Sequence, residues 1–341
     1  MLYIHIPFCD SKCFYCAFNS YVDKNYLKKD YFEALKIQFE QEKKPAKFKS
    51  IFIGGGTPSV MSLLFYEKLF NMLLPYIDEN TEITIESNPN STKLEWLKGL
   101  KELGVNRISF GVQSFNDEKL KFLGRNHTSS SAKTSIENAL KVFDNVNLDL
   151  IYATSMDSKT LLKNDLYTAI NLGVTHISAY SLTIEKNTEF YKTPEKRKDD
   201  EELEIWFINE IKKHFFQYEI SNFGKICKHN LGYWKLNSYI GLGAGAVGFD
   251  GKNRYYTHKL PEKYIKNPTF KEIEKLDSYD LKEEKVLLGL RSIVGFDIDI
   301  LNKDEKQRCL ELIDDKKLYL KENRVYSNDF LLADAYSLYI L

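Results

Sequence analysis

Short runs of β-branched and aromatic residues alternate with segments of helical periodicity over about the first 225 residues. Each run is followed by a stretch in which apolar residues recur at the spacing of one helix face. The predicted strands are Leu2–Ile6, Ser50–Ile53, Glu82–Ile85, Arg107–Phe110, Asn147–Tyr152 and His176–Leu182. Strands that alternate with helices in this way predict an α/β fold with a parallel sheet and right-handed crossovers.

The predicted helices lie between and after these strands. Their approximate ranges are 25–43, 62–77, 91–103, 116–123, 129–144, 158–172 and 199–216. A complete eight-unit barrel needs about 250 residues, so six β/α units predict an open, partial (β/α)6 barrel. We expect this barrel to span residues 1–225.

The rest of the chain has a different pattern. Residues 226–279 are rich in glycine and aromatic residues at first, and the charged stretch 257–282 resembles a linker. Residues 280–341 predict a small, mainly helical C-terminal domain. A terminal hairpin is predicted there from Leu318–Tyr326 and Asp329–Ala333.

Residues with useful chemistry follow the predicted strands. Cys9–Cys16 comes after the first strand and Gly54–Pro58 after the second. Glu86 ends the third strand, Gln113 ends the fourth, and Asp149 lies within the fifth. Because functional groups of parallel α/β sheets lie on the loops after the strands, we expect these residues to meet at one end of the sheet.

Three cysteines occur within eight residues, at Cys9, Cys13 and Cys16. Three thiolates on one loop suit a cubic iron–sulfur cluster and leave its fourth iron open to another ligand. Zinc prefers four ligands, so a zinc site would also need His5 or Asp10. Unrelated buried thiols are the third interpretation.

Composition narrows the class of protein. Hydrophobic residues make up 43% and charged residues 28%, which is typical of a globular protein. The chain has 48 basic and 48 acidic residues, so its charge gives no reason to expect a nucleic-acid partner. No apolar run reaches the roughly 18 residues of a membrane span. The chain begins with a strand-like segment, and we expect a cytoplasmic protein with Cys227 and Cys309 as buried thiols.

The cysteine spacing resembles the C-x3-C-x-aromatic-C signature of the radical S-adenosylmethionine (SAM) superfamily, with Tyr15 at the aromatic position. The resemblance implies a [4Fe–4S] cluster whose open iron binds SAM, and whose reduction splits SAM to an adenosyl radical. It also implies that the glycine-rich turn Gly54–Pro58 holds the amino group of SAM. From the turn alone, a plain strand-to-helix connection is an equal interpretation.

Longer motifs are similar to the family of oxygen-independent coproporphyrinogen III oxidases (HemN) and heme chaperones (HemW). They are Arg107–Phe115, Leu123–His127, Asn147–Tyr152, His176–Glu185 and the C-terminal Leu287–Arg291. The resemblance covers nearly the whole chain. It implies that eight residues contact SAM: Tyr3, Gly55, Gly56, Thr57, Glu86, Gln113, Arg125 and Asp149.

Three features resemble the chaperone branch of this family. In that family the decarboxylating enzymes carry a fourth cysteine where this chain has Phe18, and an N-terminal extension ahead of the cluster loop, where eight residues precede Cys9 in this sequence. The segment His229–Trp234 is similar to the branch's heme-binding signature. The resemblance implies His229 as an axial heme ligand, with Tyr233 and Trp234 against the porphyrin. An imidazole is a common axial ligand of heme iron.

The resemblance therefore implies a heme chaperone that transfers heme to an acceptor protein, which lies at the membrane surface in one interpretation. Radical decarboxylation of coproporphyrinogen is the alternative, and whether SAM is cleaved stays open. A zinc-stabilised binding module is a third alternative. The chain departs from its relatives at Ala153–Ser158, where they have a Gly-Leu-Pro-Gly-Gln-Thr loop, and at Val247, where they have histidine.

Overall fold

An eight-stranded sheet forms the centre of the protein in the computed structural model, which describes residues 1–341. Its strands are β1 (Leu2–Ile6), β2 (Ser50–Gly55), β3 (Glu82–Ser87), β4 (Arg107–Gln113), β5 (Val146–Tyr152), β6 (His176–Ser181), β7 (Asn222–Gly224) and β8 (Ile240–Leu242). The order is β7-β6-β5-β4-β3-β2-β1-β8. The six predicted parallel strands are confirmed, and β8 extends them parallel to β1, while β7 pairs antiparallel to β6.

Helices connect the strands and continue beyond them. They are α1 (Lys28–Gln41), α2 (Leu63–Leu73), α3 (Leu94–Glu102), α4 (Asp117–Phe122), α5 (Ser129–Leu140), α6 (Lys159–Leu172), α7 (Glu201–Lys212), α8 (Lys228–Trp234), α9 (Pro261–Lys266), α10 (Ser278–Leu290), α11 (Lys303–Asp314) and α12 (Ala333–Ile340). The predicted ends of α6 are confirmed, because the Ser158 side chain caps its first turn and Gly173 ends it with a left-handed backbone. None of these helices combines the length and the apolar character needed to cross a bilayer.

The strands of the barrel alternate between an apolar outer face and a polar inner face. In β3, Ile83 and Ile85 belong to the 48-residue hydrophobic core, whereas Glu82, Thr84 and Glu86 lie on the other face. The same alternation runs through β4, β5 and β6. Parallel strands covered on both sides are usually apolar throughout, so this barrel has an interior built for polar groups.

Residues beyond the barrel form two smaller sheets. The strands β9 (Val247–Phe249), β10 (Asn253–Tyr256) and β11 (Glu272–Lys275) form an antiparallel sheet. Because α9 and β11 lie within 257–282, the prediction of a linker there is wrong. The stretch is charged because β11 is exposed on both faces.

The C-terminal segment has its own core of 12 buried residues, from Val286 to Ile340. Helices α10, α11 and α12 pack there against a sheet of β12 (Phe296–Asp297), β13 (Leu318–Lys321) and β14 (Arg324–Ser327). The hairpin is present, but both of its strands lie before residue 328. The prediction of a strand at Asp329–Ala333 is wrong, because Asp329 caps a helical turn there. The three-domain division with boundaries at 225 and 279 stays a prediction.

A buried ion pair holds the loop Ala153–Ser158, which follows β5. Lys119 Nζ lies 2.6 Å from Asp157 Oδ1 and donates to the carbonyl of Ile151 at 2.6 Å. The other Asp157 oxygen accepts from the backbone N–H of Thr154 at 2.8 Å. Ala153 has a φ of 63°, a conformation that glycine adopts more readily. The ion pair thus fixes a strained loop beside the barrel opening.

Substituting Lys119 by methionine leaves the Asp157 carboxylate buried without its cation. We expect the free energy of unfolding to fall by about 3–5 kcal/mol. The matched control is Lys121→Met on the same helix, whose exposed pair with Glu118 is worth at most about 1 kcal/mol. Urea unfolding monitored by circular dichroism measures both, and equal losses would contradict the assigned role of the buried pair.

Candidate cofactor site

A cavity of about 460 Å³ opens at the carboxyl ends of the barrel strands. Eleven of the predicted site residues line it: Cys9, Cys13, Tyr15, Cys16, Gly55, Gly56, Thr57, Glu86, Gln113, Arg125 and Asp149. The structure therefore places these residues at one end of the sheet, as expected from the rule that functional groups follow parallel strands.

The cysteine loop leaves β1 and returns beside it. The backbone N–H of Cys9 donates to Tyr21 at 3.0 Å, and the N–H of Tyr21 donates to Pro7 at 2.8 Å. Within the loop, the N–H of Cys16 donates to the carbonyl of Cys13 at 3.1 Å, which closes a turn. These bonds hold the three thiols at the cavity wall.

Two of the thiols already contact hydrogen-bonding side chains. Cys9 Sγ lies 3.3 Å from Thr57 Oγ1, and Arg125 Nη1 donates to Cys13 Sγ at 3.3 Å. The bond from Thr57 favours the thiolate form of Cys9, but burial is the larger effect and raises the pKa of that thiol. No three His, Cys, Asp or Glu side chains lie close enough together to hold a single metal ion. The three thiols line one cavity, and three cysteine sulfurs are the kind of donor set that an iron–sulfur cluster takes.

The glycine-rich turn is fastened to the start of the cysteine loop. The N–H groups of Gly56 and Thr57 donate to the carbonyls of Ile6 and Phe8, each at 2.8 Å. A Cβ atom at Gly56 would lie 2.8 Å from the Phe8 carbonyl and 3.0 Å from Cys9 Sγ. Glycine is required here because any side chain would displace the cysteine loop.

Two carboxyl groups face the cavity from the strands. Glu86 Oε2 accepts from the N–H of Gly55 at 3.0 Å, and Asp149 Oδ1 accepts from Asn147 Nδ2 at 2.8 Å. Burial and the neighbouring Asp149 raise the pKa of Glu86 to about 8. Burial also raises the pKa of Asp149. A cationic ligand group placed between them would restore their ionised forms.

Arg125 and Gln113 occupy strained or constrained positions. Gln113 has a φ of 71°, and backbone strain of this kind concentrates at functional sites. The guanidinium of Arg125 donates to the Gly111 carbonyl as well as to Cys13. The predicted contact of Arg125 with SAM stays a prediction, because the guanidinium bonds the cysteine loop and strand β4 instead.

His5 has both ring nitrogens engaged. Nδ1 lies 2.9 Å from Tyr3 Oη, and Nε2 lies 2.8 Å from the Asn19 carbonyl. Asp10 is exposed on the loop. A zinc site completed by His5 would require breaking one of these bonds, so the geometry favours the cluster interpretation.

A second, inner chamber of about 130 Å³ lies below the main cavity, towards the amino ends of the strands. Glu86, Asp149 and Tyr180 line both spaces. The predicted Tyr3, His229 and Tyr233 lie in the chamber and are absent from the main cavity wall. Helix α8 forms the floor of the chamber and closes the barrel at this end.

His229 is 1% exposed and fully hydrogen-bonded. Nδ1 lies 2.9 Å from Ser50 Oγ, and Nε2 lies 2.9 Å from Tyr233 Oη. Glu82 accepts from the His229 backbone N–H at 3.0 Å, and burial lowers the pKa of the imidazole to about 3. An iron bond to His229 requires the loss of one ring contact, so its ligand role stays a prediction. Trp234 lines neither space, and its indole nitrogen is buried without a partner.

Several polar residues of the interior were missed by sequence reasoning. They are Arg107, Ser109, Asn147, Ser178, Tyr180 and Tyr218. Most of them occupy every second position of β4, β5 and β6. Period-two alternation inside the predicted strands is the signal that identifies them.

A cysteine loop and a glycine-rich turn above a polar barrel interior define the class of radical SAM proteins. The sequence profile of the radical SAM superfamily matches residues 3–158. Within that superfamily, the chain belongs to the HemW family.

Curated relatives show this membership. The chain is 37% identical to the heme chaperone HemW of Bacillus subtilis over 86% of this chain and 83% of that protein. It is 34% identical to HemW of Lactococcus lactis over 96% and 93%, respectively. The solved structure of coproporphyrinogen III oxidase (HemN) from Escherichia coli superposes with a TM-score of 0.83 over 99% of this chain and 89% of that chain. At 18% identity, this likeness shows the fold alone.

The raised pKa of Glu86 predicts a pH-dependent stability difference between the wild type and Glu86→Gln. The folded state holds its Glu86 proton up to a pH of about 8, whereas the unfolded chain loses it near 4.5. Wild-type stability therefore falls as pH rises through this window, by up to about 1.4 kcal/mol per pH unit. We expect the variant, which has no such proton, to become progressively more stable than the wild type between pH 5 and pH 8.

Chemical unfolding at several pH values, without SAM, measures this difference. Glu195→Gln on the exposed surface is the control and should follow the wild type. A constant difference between Glu86→Gln and the wild type would show that Glu86 is ionised throughout.

Proposed function

We propose that the protein is a heme chaperone, which binds heme and passes it to an acceptor protein. The observation that carries this proposal is the 37% identity, over most of both chains, to a protein named as a heme chaperone. The similarity to the Lactococcus lactis protein spans 96% of this chain and therefore includes helix α8. We place the protein in the cytoplasm. Its acceptor would be a heme-binding protein, and one interpretation places that acceptor at a membrane surface.

Coproporphyrinogen decarboxylation is the alternative, and one residue of the site disfavours it. Phe18 occupies the position where we expect a fourth cysteine in the decarboxylating enzymes. Its side chain is 68% exposed at the cavity mouth and has no acid–base chemistry. The similarity of the fold to the decarboxylating enzyme does not bear on this choice.

The residues of the main cavity suit a cluster and SAM. A bound cluster with SAM on its open iron supplies one-electron chemistry. Cys9, Cys13 and Cys16 would hold the cluster, and Thr57 and Arg125 contact two of the sulfurs. Glu86, Gln113 and Asp149, from three different strands, would bind the amino group and ribose hydroxyls of SAM.

Heme titration of the anaerobically reconstituted protein tests the proposal. We expect saturable binding with a Soret shift and about one heme per chain, because an axial ligand gives a defined stoichiometry. The same sample, supplied with SAM, dithionite and coproporphyrinogen, should release no CO₂. Steady SAM-dependent decarboxylation without specific heme binding would make the protein an enzyme.

The ligand role of His229 requires its own test, because both ring nitrogens are engaged. If His229 ligates heme, His229→Ala should remove the Soret shift, while Tyr233→Phe frees Nε2 and should retain or strengthen binding. The matched control is His176→Ala, a second buried histidine with both nitrogens bonded, to Asn147 and Tyr218. Equal heme affinities in both alanine variants would show that His229 acts only through packing.

A further inference from the structure

The inner chamber of the barrel is unusual because its space is not filled by side chains. Interiors of β/α barrels are normally packed in layers. Here about 130 Å³ stays open directly below the main cavity. This volume suits about four water molecules at roughly 30 Å³ each, or a small ligand group of a few heavy atoms.

Arg107 points into this chamber from the first position of β4. The residue is 2% exposed and lines the chamber wall. Its Nε atom is buried without a partner. A guanidinium has five N–H donors, and leaving buried, charged donors unpaired is costly. The chamber therefore contains a strong, unused binding group.

The carboxyl groups around Arg107 are bonded elsewhere. Glu82 accepts from the backbone N–H groups of Lys228 and His229, at 2.9 and 3.0 Å, and so caps helix α8. Glu86 accepts from Gly55, as described above. None of these carboxylates therefore supplies Arg107 with the forked contact that a guanidinium prefers.

The other carboxyl group of the chamber, Asp149, accepts from Asn147 at 2.8 Å. Burial raises the pKa of Glu86 to about 8, so this carboxyl group of the chamber roof keeps its proton at neutral pH. Ser109 Oγ accepts from Asn147 Nδ2 at 2.7 Å and keeps its own O–H for a ligand, whereas Ser178 donates to Asn147 Oδ1 at 3.3 Å. The chamber thus presents one cation whose Nε donor is unpaired, with the carboxyl groups of Glu82 and Asp149 near enough to raise its pKa.

We propose that Arg107 anchors a binding site for a carboxylate on a short aliphatic arm. The planar guanidinium would pair with both carboxylate oxygens, which is its strongest hydrogen-bonding mode. The arm would enter from the main cavity, since Glu86, Asp149 and Tyr180 line both spaces. Such a carboxylate exists on free short-chain acids and on the propionate side chains of heme, and the second source rests on the function proposed above.

Thermal unfolding with sodium propionate tests the site on the wild-type protein. We expect a concentration-dependent rise in Tm, relative to sodium chloride at equal ionic strength, because the ligand binds only the folded state. Propionamide, a neutral analogue of the same shape, should give no rise. Equal changes in Tm with propionate and propionamide, or no change with either, would overturn the proposal. The chamber would then be a site for water molecules only.

Variants then assign the effect to Arg107. Arg107→Met removes the charge but keeps most of the volume, and we expect its apparent Kd for propionate to rise at least about tenfold. Arg107→Lys keeps the positive charge but lacks the two parallel N–H donors of the guanidinium. Its apparent Kd for propionate should lie between those of the wild type and Arg107→Met. The control is Arg291→Met, whose arginine pairs with Asp334 at the surface and should respond like the wild type. If Arg107→Met folds, an unchanged Kd for propionate in that variant would overturn the proposal. If it does not fold, an unchanged Kd in Arg107→Lys would overturn it.

Heme and heme dimethyl ester distinguish the two sources of the carboxylate. Weaker binding of heme, but not of the ester, in Arg107→Met would identify a heme propionate as the arm. Equal binding of heme by both proteins, with the propionate effect intact, would identify a free short-chain acid. If the wild type binds no heme, the proposed function fails while the propionate result still decides the Arg107 site.

Discussion

The alternation of apolar and polar residues in the parallel strands is the constraint on which the rest of this structure depends. Outward positions such as Ile108 and Phe110 build the layer between sheet and helices. Inward positions such as Arg107 and Ser109 fill the lumen with polar groups. Buried polar groups need partners, so the lumen is stable only where side chains, water or ligands satisfy them.

The two ends of the lumen are closed in different ways. At the carboxyl end, the cysteine loop and glycine turn are joined by backbone hydrogen bonds and leave a cavity of about 460 Å³. At the amino end, helix α8 is capped by Glu82 and anchored by the contacts of His229. Glu86 and Asp149 lie between the two ends. A ligand that changes their charge would therefore act on both spaces.

Much of the cofactor end could be predicted from the sequence. The order of strands and helices places Cys9, Gly55 and Gln113 at one edge of a sheet, and this placement does not depend on their side chains. The resemblance to a known family then implied that Glu86 and Asp149 contact SAM. What could not be predicted is the depth of each residue in the lumen, because depth depends on the register between strands. Tyr3 consequently lies in the inner chamber, although it was expected beside the SAM residues.

The amino end was harder to predict because its contacts are distant in sequence. The Nδ1 partner of His229 is Ser50, 179 residues away, and no local pattern encodes this contact. The resemblance implied an axial heme ligand, whereas the fold shows a buried imidazole with both ring nitrogens bonded. Arg107 differs from His229, because a local pattern does predict its direction. The alternation of polar and apolar residues within β4 indicates that its side chain faces inward. Only the structure shows that its buried Nε atom has no partner.

The main cavity is the centre of this interpretation, and electron paramagnetic resonance of the anaerobically reconstituted, reduced protein tests it most directly. A cluster held by Cys9, Cys13 and Cys16 has one iron without a protein ligand. We therefore expect a [4Fe–4S]⁺ signal whose g values change when SAM is added. A signal that SAM leaves unchanged, or protein that contains zinc and no iron, would contradict the assignment of this cavity.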